Sequence, residues 1–315
     1  MAITSLGLRE SSAPLDLAAQ GGWRSIKNRL MSGLLFLSFL VVMIPLLFVL
    51  MAVVSRGAKV MGWSFLTKDI APIERRPGGG VGPAIVGTLV ITGLATLLAT
   101  PLGILGAVFL NEYSAKGVFG RIVRFMANVM TGVPSVVMGL FIYVIFTLTF
   151  KQRGVGGSLA LACLMLPIII RTTEEMLKLV PNYLREASLA LGASKARTIV
   201  TVVLPAALPG IISGALLAVA RAAGETAPLL FTIGAAKSLQ INPFADEAMT
   251  ALPLQIYSNA SSSFPAAQAR GWGAALTLLL LSFLFTLIAR LVSARFCNEK
   301  VIPCLMQAEP RRPQP

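Results

Sequence analysis

Two arginines stand in stretches that are otherwise apolar: Arg171 in LPIIIRTTEE and Arg221 in LLAVARAAGETAP. Each has a glutamate four residues later, Glu175 and Glu225, which places cation and carboxylate on one helical face. Thr172, Thr173 and Thr226 put hydroxyl groups beside them. An arginine inside a membrane segment costs several kcal/mol, so it normally faces a cavity or a protein partner and marks a path for polar cargo. A guanidinium presents a planar fork of donors that matches the oxygens of a tetrahedral oxyanion. The carboxylate beside it would orient the fork or accept a proton from a protonated anion oxygen. A fully deprotonated anion has no such proton and would meet an unpaired carboxylate, so the pair also carries selectivity. Plainer roles fit the same residues. Arg171 would cap the end of a span and snorkel to water, with Glu174, Glu175 and Lys178 as a wetted surface. Arg221 and Glu225 would be a buried pair holding helices together.

The stretch between these arginines, Arg185 to Pro205, reads REASLALGASKARTIVTVVLP. It is short, polar and basic, yet it carries a helical pattern: Ala187, Leu189, Ala190 and Leu191 against Arg185, Glu186, Lys195 and Arg197. Gly192 interrupts the pattern, and Pro205 and Pro209 enter the apolar run that follows. The spacing predicts a helix–glycine–helix element lying along a membrane surface. It is an ordinary basic loop or a docking element that receives force from another protein.

The elements that position these groups are membrane spans. The 315 residues are 56% hydrophobic and 13% charged, with mean hydropathy +0.79, which excludes an ordinary soluble domain. Apolar runs predict six spans at about 31–54, 84–110, 125–150, 158–177, 199–230 and 272–290, an all-α polytopic fold. A polar tail (1–22) precedes a transmembrane domain (23–295), and a basic tail (296–315) follows it. The run 31–54 is too long for a signal core and lacks a small-residue cleavage site, so it reads as a retained helix. The segment TGVPS (Thr131 to Ser135) sits near the start of the third span. The glycine run 78–80 reads as a flexible loop or as a tight surface. Trp63 suits an interfacial anchor.

The net charge of +14 does not point to nucleic acid, because the basic residues are scattered between apolar runs and form no stripe with aromatics. With both termini inside, the inner loops and tails carry 16 Lys and Arg and the outer loops 9, a modest bias in favour of that orientation. Histidine is absent, which removes histidine acid–base chemistry and histidine metal sites. Cys163, Cys297 and Cys304 form no disulfide framework or metal cluster. A GxxxxGK[ST] phosphate loop is also absent, so the chain has no ATP motor of its own.

Glu186, Ala187, Gly192, Val202, Leu204 and Pro205 match, at the right spacing, the coupling-loop signature of bacterial ABC importer permeases. Ser188 replaces the second alanine of that signature and Val202 its isoleucine. Together with IIIRTTEEML, ARAAGETAPLLF and TGVPS, the chain over about 25–290 resembles the A-type permease subunits of the bacterial high-affinity phosphate ABC importer, in the family of binding-protein-dependent transport inner membrane components. The two tails lie outside the resemblance. It implies a type I ABC importer permease fold, a multi-pass place in the cytoplasmic (inner) membrane, and inorganic phosphate as cargo. The implied substrate path runs past Arg171, Arg221 and Glu225, with Thr172 and Thr226 nearby. The implied coupling loop (181–198), with Arg185, Glu186, Ala187 and Gly192 followed by Leu204 and Pro205, inserts into a cytoplasmic ATPase subunit. Expected partners are a sister permease, two ATPase subunits that bind ATP and Mg, and an extracytoplasmic phosphate-binding protein. Neither a catalytic residue nor a metal site is expected in this chain.

Four other readings compete. A permease for phosphonate, sulfate or molybdate keeps the loop and changes the site. An ion-driven secondary transporter suits the intramembrane charges but does not explain the loop signature. A membrane-embedded phospholipid phosphatase needs nucleophile or metal-ligand groups that are scarce here. A non-catalytic structural or regulatory membrane subunit needs none of these features.

Overall fold

The computed structural model describes residues 23–114 and 117–300. The expected tail 1–22 and residues 301–315 of the expected basic tail lie outside them. Among the described residues the secondary structure is entirely helical. Lipid offers backbone groups no hydrogen-bond partner, and a helix satisfies them within its own segment.

Helix α1 (Trp23–Gly57) carries no charged residue between Leu30 and Val54. Its stretch up to Ala52 belongs to a compact unit of its own, and there Phe36, Phe39 and Phe48 are all exposed, as in a helix whose solvent is lipid. The second unit begins at Val53. It contains α2 (Trp63–Thr67), α3 (Gly82–Val108), α4 (Val118–Gly132), α5 (Ser135–Ile142), α6 (Leu148–Phe150) and α7 (Gly154–Leu179). The short α8 (Asn182–Ala190) and α9 (Lys195–Thr198) come next. After them follow α10 (Leu204–Ala223), α11 (Ala227–Thr232), α12 (Leu252–Ala260) and α13 (Pro265–Lys300). Wider π turns extend α3 (Phe109–Tyr113), join α5 to α6 (Tyr143–Thr147) and lead into α10 (Ile199–Val203).

Small residues let the long helices approach closely. On α3, Ile91, Ala95 and Ala99 repeat every four residues and are fully buried against Leu161, Met165 and Ile169 of α7. A Cβ at Gly103 would lie 2.6 Å from the Ile169 side chain, so only glycine permits that approach. Without a hydrophobic drive between helices in lipid, such close packing is what holds them together. Ala218 and Ala222 of α10 and Leu229 of α11 complete this cluster. A second cluster, Ala107, Leu177, Val180, Val203 and Ile211, joins the ends of α3 and α7 to the start of α10.

Among the described residues five helices are long and apolar enough to cross a membrane, and the α4–α5 pair makes a sixth crossing if counted as one. That pair corrects the sequence reading. The expected third span (125–150) is broken at TGVPS, where the chain turns by 105° between α4 and the helical run after Pro134. Val133 precedes the proline and leaves the helical region (φ −70°, ψ 127°), because the proline ring crowds a helical residue before it. The expected fifth span (199–230) is interrupted as well. Its helix ends at Ala223, and α11 starts afresh after Gly224–Thr226.

At the far end of the bundle from α8 and α9, residues 65–81 form a tight surface. Arg270 is only 4% exposed and donates to the backbone carbonyls of Glu74 (2.8 Å), Arg76 (2.8 Å) and Gly78 (3.2 Å). Gly79 has φ +80°, and a Cβ there would meet the Ala71 backbone at 2.6 Å. Trp63, the expected interfacial anchor, is largely exposed.

Candidate functional site

Arg171 lies on α7 about two turns before the helix ends, with its side chain 58% exposed. Its Nη1 donates to Asn128 Oδ1 of α4 at 2.6 Å, and its Nε donates to Glu175 Oε1 at 3.3 Å. These groups border a cavity of about 180 Å³ that is also lined by Arg124, Glu174 and Lys178. Glu174 is the buried member, 7% exposed. It accepts from Arg124 Nε at 2.7 Å and pairs with Lys178 Nζ at 2.8 Å. Arg124 also donates to the carbonyl of Leu110 at 2.7 Å. Three cations against two carboxylates leave the cavity one positive charge in excess, which favours an anion.

Arg221 lies in the last turn of α10. Its side chain is 68% exposed, and its Nε stands 3.6 Å from Glu225 Oε1, a carboxylate that is only 19% exposed. The glutamate is the more buried partner and the guanidinium the more exposed one. Thr226 opens α11 and makes no side-chain cap there. The Thr172 hydroxyl donates to its own helix, at the carbonyls of Ile168 (3.0 Å) and Ile169 (3.3 Å), while its side chain packs on Gly214.

Gly214 against Thr172 and Gly210 against Met176 make α7 and α10 antiparallel neighbours. Continuing that register, Arg221 falls level with the region of Met165. The two arginines are thus separated along the bundle by about 9 Å at the helical rise. They lie at different heights along the bundle, and Arg221 is not among the residues that line the cavity beside Arg171.

The 181–198 region folds as two short helices around a glycine turn. Gly192 has φ +83° with open space around it, so the need for glycine there is conformational. Its N–H closes on the carbonyl of Leu189, and that of Ala193 on Ser188. Ser194 caps α9 at the Arg197 N–H. Ser188 Oγ meets Thr198 Oγ1 at 2.9 Å, which ties the two helices together. Leu191, 89% exposed, stands at the turn, and Glu186, Ala187 and Pro205 are exposed too. Leu204 is half-buried and packs on the cluster at the ends of α3, α7 and α10.

Arg185 differs from its neighbours by turning inward. It donates to the carbonyls of Val180 (2.6 Å) and Leu177 (2.9 Å), to Asn182 Oδ1 (3.2 Å), and to Glu112 Oε1 from Nη2 (3.0 Å) and Nε (3.3 Å). Sequence reasoning missed Glu112, Asn128, Arg124 and the part played by Glu174. Asn128 and Glu112 lie 43 and 73 residues from the arginines they contact, and no local spacing reveals such pairs. The one available signal was Glu112, an acidic residue directly after a long uncharged run.

The family described as "Binding-protein-dependent transport system inner membrane component" matches residues 99–297. The phosphate transport system permease protein PstA of Mycobacterium leprae is 44% identical over 284 residues, covering 87% of this chain and 92% of that protein. The PstA of Haemophilus influenzae is 37% identical over 271 residues, 85% of this chain and 94% of that protein. A chain of a bacterial alginate ABC transporter superposes with TM-score 0.63 at 17% identity, covering 89% of this chain and 99% of its own length. A chain of the MetNI methionine ABC transporter gives 0.55 at 20% identity over 69% of this chain and 94% of its own. These two share the fold. Family match and long, well-covered relatives agree, and the chain belongs to the binding-protein-dependent transport system inner membrane component family.

Proposed function

We propose that this chain is a permease subunit of an ATP-driven importer that carries inorganic phosphate across the cytoplasmic membrane. The observation that carries the proposal is the pair of open guanidiniums, Arg171 and Arg221, each backed by a carboxylate four residues on. They stand on the two helices that the chain joins directly to the 181–198 element. The phosphate permeases among the relatives support phosphate as the anion. The path would run past Arg171, Arg221, Glu225, Thr172 and Thr226. The protonated oxygen of monohydrogen phosphate would meet Glu225, which sulfate cannot satisfy.

On this reading the membrane is crossed six times, with the bent α4–α5 pair as the third crossing, and both termini are cytoplasmic. A sister permease completes the pore, and two ATPase subunits bind ATP and Mg. An extracytoplasmic binding protein delivers phosphate. The exposed side of the 181–198 element, with Glu186, Ala187, Leu191 and Gly192, docks on an ATPase subunit. Closure of the ATPases moves α7 and α10 through it and opens the pore outward; hydrolysis and release return it.

The test is reconstitution of the complete complex in vesicles with its binding protein. ATP-dependent uptake of labelled phosphate, with sulfate neither transported nor competing, is the expected result. Sulfate or phosphonate moving as well as phosphate would overturn the assignment of cargo.

A further inference from the structure

A polar latch joins the 181–198 element to the end of α3, a helix from which it is remote in sequence. Glu112 sits in the π turn that extends α3, its side chain 9% exposed against 17% for Arg185. One carboxylate oxygen, Oε1, accepts Nη2 and Nε of Arg185 and the Asn111 side-chain amide at 2.8 Å. Lys195, on the other short helix, donates to the Glu112 carbonyl and stands 4.6 Å above the Tyr113 ring. Arg185 on α8 and Lys195 on α9 therefore grip adjacent residues of the same helix end. A cation is favoured there, because a helix C-terminus leaves carbonyls without donors. Leu191, the most exposed apolar residue of the element, lies in the turn between the two grips.

We propose that Glu112 is a positioning residue that fastens the coupling element to α3, so that α3 moves with it. The chain itself already links the element to α7 and α10. Apart from these covalent links α3 is reached through apolar packing on α7, α10 and Leu184 of α8, and Glu112 adds a directional polar tie at its end. Arg185 has its donors committed to Glu112, Asn182 and the carbonyls of Leu177 and Val180, so it belongs to this latch and not to the surface that meets the ATPase. A half-buried ion pair also resists the screening that weakens exposed ones. The inference rests on the importer reading, but its own readout need not involve phosphate.

The experiment is a distance measurement in the assembled complex, with spin labels at the exposed positions Leu105 of α3 and Leu189 of α8, in a background whose three cysteines are replaced. In the wild-type sequence the label distance should stay single and unchanged between the nucleotide-free and ATP-trapped states. Glu112→Gln should broaden it or make it change with nucleotide. The same substitution should lower phosphate moved per ATP hydrolysed by about tenfold, with the ATPases still bound. The conservative variant Glu112→Asp keeps the carboxylate and leaves Arg185 with its carbonyl partners, so it should retain both readouts in part. An unchanged distance in Glu112→Gln would overturn the latch, whatever the cargo proves to be. Equal defects in Glu112→Asp and Glu112→Ala, with the ATPases lost from both, would overturn it as well. A normal latch in a complex that moves no phosphate would count against the cargo alone.

Discussion

Two kinds of arginine occupy this bundle, and they differ in what takes up their donors. Arg270 and Arg185 turn their donors toward backbone carbonyls, three for Arg270 and two for Arg185, which adds the Glu112 carboxylate. They fasten loops at opposite ends of the bundle. Arg171 and Arg221 are more than half exposed and are each held by a carboxylate four residues on, Arg171 having Asn128 in addition. A guanidinium has five N–H donors. Where carbonyls take them the arginine is a fixed clamp, and where they remain open it can receive an anion without first breaking its fold.

The largest effect that tests this division is on stability at a clamp. Arg270→Ala should cost about 3 kcal/mol or more, because it strips charge-assisted bonds from carbonyls that are then left without donors. Thermal unfolding of the purified protein in detergent reads it, and an unshifted midpoint would erase the distinction from the clamp side. At the open arginines the prediction reverses. Glu225→Gln should lower phosphate uptake by roughly tenfold through loss of a charged orienting partner, with assembly unaltered. If the complex fails to assemble instead, the Arg221–Glu225 pair is architectural after all. Arg171→Lys keeps the charge and loses the fork, so uptake should fall less than in Arg171→Ala; equal losses in a side-by-side uptake assay would show that geometry at that station is all that counts. The smallest effect belongs to the glycine turn. Gly192→Ala meets open space, so its cost is the left-handed backbone alone, about 1–2 kcal/mol. Gly192→Asn should therefore retain more ATP-coupled uptake than Gly192→Ala, and the reverse order would mean that the exposed surface, and not the turn, is what the glycine supplies.

What the sequence conveyed follows from which forces are local. Long apolar runs announce helices, because lipid admits few other backbones. The helix–glycine–helix element was legible from Gly192 and the periodicity around it, and Arg171 and Arg221 from their isolation among apolar residues. The broken span was hidden by hydropathy, since residues on both sides of TGVPS are apolar. Val133–Pro134 was the available warning. The glycine run 78–80 remained open between two readings, as the buried guanidinium that tightens it, Arg270, comes from almost two hundred residues away. Arg185 was grouped with the docking residues by its place in the motif, and its partner Glu112 turns it the other way. For the glycine run and for Arg185 the deciding partner comes from a distant segment, and such a contact leaves no local trace in the sequence.

The most direct measurement is uptake of labelled phosphate by cells that lack other phosphate importers, comparing the wild-type chain with Arg221→Ala at matched membrane levels. Sulfate serves as the second substrate. With Arg221 as an open station on the phosphate path, uptake should fall to background while the protein stays in the membrane and bound to its partners. Undiminished phosphate uptake by Arg221→Ala would contradict the account.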